Sequence, residues 1–177
     1  MSVRTITESL HDKIQESIDR TTHLVTLVPE SSLSFHPVSH AHGVVFTDVG
    51  HLLGHLLDCL SGFCAAFCAM FPEQLDSFQS LREQPVNHSC SPGEAILRIQ
   101  RYGDHIRAGF ALCSDETLAR PLKTVFVPQG ESFATILLGN LEHLLNHKHQ
   151  LFFYLKLLGI PVGTADLYAL RKPSGPA

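Results

Sequence analysis

Histidine pairs spaced four residues apart are the feature of this sequence that points most directly to chemistry. The run Leu141–Gln150 contains His143 and His147 at positions i and i+4. On a helix such residues share one face with β-carbons about 5–6 Å apart, so both imidazoles can reach one ion at the roughly 2.0–2.1 Å that zinc requires. The pair therefore predicts part of a divalent metal site.

A second pair, His51 and His55, has the same spacing and lies in apolar sequence. Burying an imidazole among apolar side chains is unfavourable unless its nitrogens have partners. Two helices that each carry an inward-facing histidine pair can supply three or four nitrogens to one ion across a bundle core, where such sites are commonly built. Spacing alone leaves His51 and His55 as rivals for the third ligand, and hydrogen-bonded core histidines as an alternative to a metal site.

Several other side chains near these pairs are candidates for supporting roles. Cys59 follows His55 by one turn on the same face and is an alternative fourth ligand, although a packed thiol is the simpler interpretation. His149 is rotated by roughly 200° from His147, so it should face away, on the surface or in support of a ligand. Three histidines fall in a predicted loop, where solvation is the simpler interpretation and a lid over the site the alternative: His36, His40 and His42.

The first two predicted helices follow from apolar periodicity. Residues 3–28 carry apolar side chains at helical spacing, and Pro29 ends that pattern. After a loop, Thr47 or Asp48 caps a second helix that runs to about Met70. The longest apolar stretch of this helix, about 13 residues, is shorter than the roughly 20 needed to span a bilayer, so it predicts a buried helix.

Two more long helices are predicted in the second half of the chain. Ser91 caps a helix whose apolar side chains are spaced by alternate threes and fours as far as Cys113. The β-branched and aromatic patch Thr124–Val127 predicts a short extended element or hairpin. The last long helix opens at Glu131 and runs to about Leu158.

Together these helices predict one all-α domain, a four-helix bundle over residues 1–177. Residues 72–90 form a polar excursion in which we expect a short extra helix, and residues 169–177 predict a frayed or lightly docked tail. The position of the excursion matters because it bears on access to any pocket in the bundle.

Composition, charge and cysteine usage narrow the classes of function. The 13 Lys and Arg residues are scattered and the net charge is −4, so the sequence predicts no nucleic-acid partner. The N-terminal residues lack the pattern of a secretory signal, and the five cysteines lack the arrangement of a disulfide framework. We therefore expect reduced thiols, a cytoplasmic location and no association with membranes.

Three stretches of the chain resemble the DinB/YfiT-like superfamily of metal-dependent four-helix bundles. Leu33–Pro37 is similar to the aromatic-x-Pro end of the first connection in that family, and Asp48–Leu56 to its second-helix histidine segment. His143–Gly159 is similar to its His-x-x-x-His-Arg-Gly-Gln-Leu segment and the leucine-rich turn that follows. The likeness covers roughly residues 6–168 and implies a four-helix bundle of DinB/YfiT type.

Carried over residue by residue, the resemblance implies that His55, His143 and His147 are the metal ligands. It puts His51 at a position that the family usually gives to Glu or another polar residue. Lys148 and His149 replace the usual Arg-Gly, and Asn146 stands where a further histidine is common. Neither departure removes a ligand, but both change what surrounds the site.

Three neutral imidazoles leave at least one position on a divalent ion open, as in catalytic rather than structural sites. Zinc and nickel suit this ligand set best, and iron, manganese or cobalt can also occupy it. The resemblance implies that the ion activates a low-molecular-weight thiol, which then attacks an electrophilic substrate in a transfer or isomerisation. A non-catalytic, stress-associated metal-binding protein is the alternative, and we expect a homodimer.

Overall fold

The computed structural model describes residues 4–37, 47–75, 88–125 and 127–168. The first and the second long helix each pack against both the third and the last. Around the bundle the four long helices therefore follow the order first, third, second, last. This arrangement confirms the predicted all-α fold class. The elements are α1 (Ile6–Thr26), a 3-10 turn (Glu30–Ser32), α2 (Val49–Met70), α3 (Pro92–Ala111), α4 (Asp115–Ala119), β1 (Pro121–Leu122), β2 (Glu131–Ser132), α5 (Phe133–Leu157) and α6 (Thr164–Leu167).

Each long helix begins at a side chain that accepts a backbone N–H of the first turn. The Asp48 carboxylate accepts from the His51 amide at 2.8 Å, and the Ser91 hydroxyl accepts from the Glu94 amide at 3.2 Å. These caps satisfy amides that have no partner inside the helix. The predicted cap at Ser91 is confirmed, and of the two candidates for α2 the structure selects Asp48.

The helix α2 carries the core of the bundle. By length and composition it could cross a membrane, but 67% of its most apolar window is buried against the other helices, so no membrane span is indicated. The Phe67 ring packs edge-on against Phe110 and Phe133, with centroids 5.0 and 5.3 Å away. A β-carbon at Gly109 would lie 2.4 Å from that ring, so this glycine lets α2 and α3 approach closely.

The extended element lies beside the predicted patch rather than within it. The strands β1 and β2 pair antiparallel, with Pro121 opposite Ser132. Thr124 and Val127 exchange backbone hydrogen bonds of 3.3 and 3.2 Å in the turn between the strands. The short extended element expected before the last long helix is therefore present as a hairpin, but Thr124, Val125 and Val127 lie in its turn: β-branched residues favour strands when they pack on a half-buried surface, and Val125 is 89% exposed.

Two predictions fall on residues that the structure does not describe. The extra helix expected in the excursion at 72–90 falls largely on 76–87, and only 72–75 and 88–90 of that segment are described. The tail at 169–177 lies wholly outside the described residues. Just before it, α6 docks on the bundle because Asp166 contacts His23 at 2.7 Å and the Leu167 carbonyl accepts from Lys148 at 3.1 Å.

Candidate metal centre

The candidate site lies in the seam between α2 and α5. Gly62 of α2 faces Asn140 of α5, while His55 faces His143 and His147, so the two helices run antiparallel. A β-carbon at Gly62 would lie 3.1 Å from the Asn140 side-chain oxygen. The close approach at Gly62 brings the histidines, about two turns away, within reach of one another.

Three imidazole nitrogens converge in this seam. His55 Nε2 lies 3.0 Å from His147 Nε2 and 3.2 Å from His143 Nε2. Cys59 Sγ joins them, and the four ligand atoms all lie within 4.8 Å of one another. We call His55, Cys59, His143 and His147 the His–Cys cluster. The structure thus brings together the three histidines that the sequence resemblance singled out.

The spacing of the nitrogens fits a divalent ion better than a hydrogen-bonded trio. Ligand nitrogens about 2.05 Å from a tetrahedral zinc ion are separated by about 3.3 Å, close to the distances in the cluster. A neutral ring nitrogen carries either one N–H or one in-plane lone pair, so His55 Nε2 can make only one good hydrogen bond to its two neighbours. A shared ion satisfies all three nitrogens at once.

A chain of hydrogen bonds fixes which nitrogen of His147 faces the cluster. The Tyr154 hydroxyl donates to the Thr47 carbonyl at 2.8 Å, so its oxygen accepts from the Gln150 amide NH₂ at 3.0 Å. The Gln150 carbonyl oxygen is thereby turned to His147 Nδ1, 2.9 Å away, which must donate. His147 Nε2 is left with its lone pair directed at the cluster, as a metal ligand requires.

The surroundings of His143 and His147 favour their neutral forms. Burial, and to a smaller extent the neighbouring His55, lower the pKa of His143 below its ordinary value, against an opposing effect of Asp58. Burial also lowers the pKa of His147, although the hydrogen bond from its ring to Gln150 acts in the other direction. Neutral rings have the free lone pairs that metal ligation needs.

The cluster lies at the edge of the bundle rather than across its core. His143 is exposed and His55 and His147 are half-buried, whereas Cys59 is 2% exposed. The expectation of a site in the bundle core was therefore wrong for the histidines. Among the four side chains of the cluster, that of His143 is the most exposed to solvent.

The other histidines proposed for supporting roles point elsewhere. The ring of His51 is half-exposed and its Nδ1 lies 2.8 Å from the Asp48 carboxylate that caps α2. The Nδ1 of His149 lies 2.7 Å from the Leu145 carbonyl, on a different face of α5 from His147. His55 rather than His51 is therefore the α2 histidine in the cluster.

The departures from the family segment do not enter the cluster. Lys148 is 2% exposed and its ammonium reaches the Leu167 carbonyl, so it anchors the end of the described chain instead of approaching the ligands.

His36, one of the three loop histidines, has a partly exposed side chain, with Nε2 3.9 Å from Asp48. The two other loop histidines, His40 and His42, lie outside the described residues.

Spacing and resemblance pointed to no role for Gln150 and Tyr154, the residues that orient His147. Gln150 is three positions after His147, a spacing at which helical side chains meet. This contact could therefore have been predicted from the sequence. Tyr154 is one turn further along α5, but its partner Thr47 is 107 residues away in sequence. Only the fold brings that carbonyl to α5.

A second group with metal-ligand residue types occurs in the described part of the chain. His88, Cys90 and Glu94 have ligand atoms within 4.8 Å of one another. The Arg98 guanidinium lies 2.8 Å from His88 Nε2 and 3.5 Å from the Glu94 carboxylate. We call these four residues the Arg98 cluster. A fixed guanidinium occupies the place where a metal cation would have to bind.

A surface depression of about 550 Å³ lies away from both clusters, between α1, α3 and α4. Its lining includes Asp115, whose carboxylate accepts from the Thr7 amide at 2.9 Å and the Thr7 hydroxyl at 2.6 Å. These bonds tie α4 to the start of α1. The Asp115 carboxylate in this depression therefore serves to hold the fold.

Comparisons with known proteins identify the fold. No protein-family model matches the sequence, and no curated protein matches it. A crystal structure of a DinB-like protein, YjoA from Bacillus subtilis, superposes with a TM-score of 0.63 and 14% sequence identity, over 87% of this chain and 94% of that chain. At that identity the likeness concerns the fold. The chain therefore has the DinB-like fold, as the resemblance of its sequence predicted.

Proposed function

We propose that the protein binds one divalent metal ion through His55, His143 and His147 and uses it to activate a low-molecular-weight thiol. The observation that carries this proposal is the convergence of three Nε2 atoms, with His55 Nε2 at 3.0 and 3.2 Å from the other two. The DinB-like fold and the His–Cys cluster are compatible with a metal-binding protein. Zinc and nickel are the ions that we expect first.

The side chains of this chain would hold and orient the ion. His55 supplies a nitrogen from α2, and His143 and His147 supply two from α5, so the site joins two helices. The Gln150–Tyr154 chain keeps His147 in the tautomer that binds metal. Exposure of His143 leaves the solvent side of the seam for a substrate.

A divalent ion held by imidazoles supplies one kind of chemistry when bound, the deprotonation of a coordinated thiol at neutral pH. The thiol sulfur would then form a bond to an electrophilic carbon, while the leaving group departs with its electron pair. This is a thiol transfer; an isomerisation would follow if the thiol were later expelled. The cytoplasmic location and the homodimer stay predictions.

Metal content tests the first half of the proposal. Purified wild-type protein should contain about one divalent ion per chain, and His147→Ala should lose its ion to a chelator that leaves the wild type loaded, because one of the three imidazole ligands is missing. His149→Ala is the matched control, since its ring lies on the same helix but faces away. Full occupancy in His147→Ala would overturn the three-histidine site.

Turnover tests the second half. Metal-loaded protein would be incubated with several low-molecular-weight thiols and a chloro- or epoxide electrophile. Consumption of the electrophile that needs the thiol and stops with chelator would support an enzyme. If a broad panel gives no turnover while the metal stays bound, the protein is a non-catalytic metal-binding protein.

A further inference from the structure

The partner of His55 on α2 is a cysteine rather than a histidine. His55 and Cys59 are four residues apart, and both contribute ligand atoms to the His–Cys cluster, as His143 and His147 do from α5. The seam therefore holds two i, i+4 pairs that face each other. Pairs of this spacing on adjacent helices are a common way to surround one ion.

Cys59 lies on the buried side of the cluster. It is 2% exposed, whereas His143 is exposed and the other two histidines are half-buried. Its sulfur is within 4.8 Å of every ligand nitrogen. A sulfur and a nitrogen bound to one tetrahedral zinc ion are about 3.5 Å apart, so a small side-chain adjustment closes the remaining distance.

Cys64, on the same helix, shows the contrasting environment of a cysteine that serves packing. It is fully buried, and its sulfur lies 3.8 Å from the Tyr102 carbonyl of α3, to which the thiol donates. Cys64 therefore faces the neighbour on the other side of α2. Cys59 faces the histidines, where a thiol proton can be replaced by a metal ion.

The charge of a bound divalent ion would favour a thiolate at this position. Three neutral imidazoles leave the full double charge of the ion in a partly buried seam, where an uncompensated charge is costly. A thiolate from the protein would halve that charge. Burial and the nearby Asp58 raise the pKa of Cys59 to about 12.

We propose that Cys59 Sγ is a fourth protein ligand, so that the His–Cys cluster is a three-nitrogen, one-sulfur centre selective for thiophilic divalent ions. Zinc and cobalt would be preferred to magnesium, calcium or manganese, because thiolate is a soft ligand. This proposal rests on the metal site of the proposed function. It adds that the four-coordinate site is closed at rest, so an external thiol must enter as a fifth ligand or displace Cys59.

X-ray absorption of the zinc-loaded full-length protein tests the proposal directly and requires no variant. The expected spectrum shows about one sulfur per zinc at about 2.3 Å together with nitrogens at about 2.0–2.1 Å. A spectrum that contains nitrogen and oxygen neighbours alone would overturn the role of Cys59, while leaving the three-histidine site in place. Absence of bound zinc altogether would instead overturn the proposed function.

Cobalt substitution provides the matched variants. The cobalt-loaded wild type should show a thiolate-to-cobalt charge-transfer band, which Cys59→Ala and Cys59→Ser lose and Cys64→Ala keeps. Zinc affinity of the Cys59 variants should fall by at least about 10-fold, the scale at which even supporting residues affect metal sites. Far-ultraviolet circular dichroism checks that each variant is folded. A band that persists in a folded Cys59→Ser protein would overturn the proposal.

Discussion

The His–Cys cluster and the Arg98 cluster are built from similar residue types but differ in the cation beside them. Each has ligand atoms within 4.8 Å of one another and each includes a buried cysteine. In the Arg98 cluster, the guanidinium contacts both His88 and Glu94 and also donates to the Tyr102 hydroxyl at 2.9 Å. In the His–Cys cluster, the ring nitrogen of His55 instead lies next to those of His143 and His147.

This difference shows why residue types alone do not define a metal site. In the Arg98 cluster the guanidinium already supplies the positive charge beside the histidine and the carboxylate. A metal cation bound there would be repelled by it. In the His–Cys cluster, His55 Nε2 lies 3.0 and 3.2 Å from two other ring nitrogens, and a neutral imidazole nitrogen cannot serve as a cation for another. We therefore propose metal binding in the α2–α5 seam and a structural role for the Arg98 cluster.

The largest expected effect separates the two clusters by metal content. His55→Ala should remove binding, with an affinity loss of about 100-fold or more, because a ligand rather than a supporting group is lost. His88→Ala should leave about one ion per chain. Equilibrium dialysis followed by elemental analysis measures both. Loss of the ion from His88→Ala with retention in His55→Ala would reverse our assignment.

A smaller effect is expected from the residues that orient His147. Gln150→Leu removes the acceptor of the Nδ1 proton, so the ring can turn or change tautomer, and zinc affinity should fall by roughly 10- to 100-fold. Gln150→Glu keeps an acceptor at the same place and should retain most of the affinity. Competition with a chromophoric chelator gives both values. Equal affinity of Gln150→Leu and wild type would show that the hydrogen bond does not orient the ligand.

The pH dependence of zinc binding should show about a tenfold rise in affinity per pH unit between about pH 7 and pH 8. The affinity should rise with pH because of the group that loses a proton on binding. The pKa of Cys59 is raised to about 12, so its thiol must release a proton on binding, and release becomes easier as the pH rises. The pKa values of His143 and His147 are lowered, so these rings release none in that range.

Cys59→Ala is the control for this dependence. Its zinc affinity should be nearly independent of pH over the same range, since no thiol proton has to be released. Proton release on adding zinc in a weak buffer gives a second measurement, with about one proton expected for the wild type and about none for the variant. A pH-independent wild type would argue against a thiolate ligand.

The smallest effect on metal binding should come from the Arg98 cluster. Arg98→Met removes a guanidinium that is largely buried and donates to Tyr102 and His88, so unpaired polar groups remain. The free energy of unfolding should fall by about 1–3 kcal/mol, while metal content stays unchanged. Denaturant unfolding of the metal-free proteins measures the first and elemental analysis the second. Unchanged stability would remove the structural role that we assign to Arg98.

Much of the fold was predictable because its signals are local. The cap at Ser91 and the apolar spacing that follows it define α3 within a few residues, and Asp48 starts α2 as one of two expected caps. The short hairpin expected before the last long helix is present, but its strands flank the β-branched patch at Thr124 and Val125, since β-propensity depends on a packing surface that this turn does not have.

The sequence by itself determined the ligand-bearing helices and the i, i+4 pair on α5. Helical periodicity places His143 and His147 on one face whatever the rest of the chain does. It also determined that His149 faces away. These features depend on residues only a few positions apart, so they can be predicted from the sequence.

Only the tertiary structure decided how the site is completed. The rotation of α2 against α5 turns His55 and Cys59 into the seam and leaves His51 with Asp48. The same packing leaves the site at the solvent edge of the bundle and brings the Thr47 carbonyl to Tyr154. Spacing within one helix cannot fix these outcomes, because they depend on the rotation and separation of two helices about 90 residues apart in sequence.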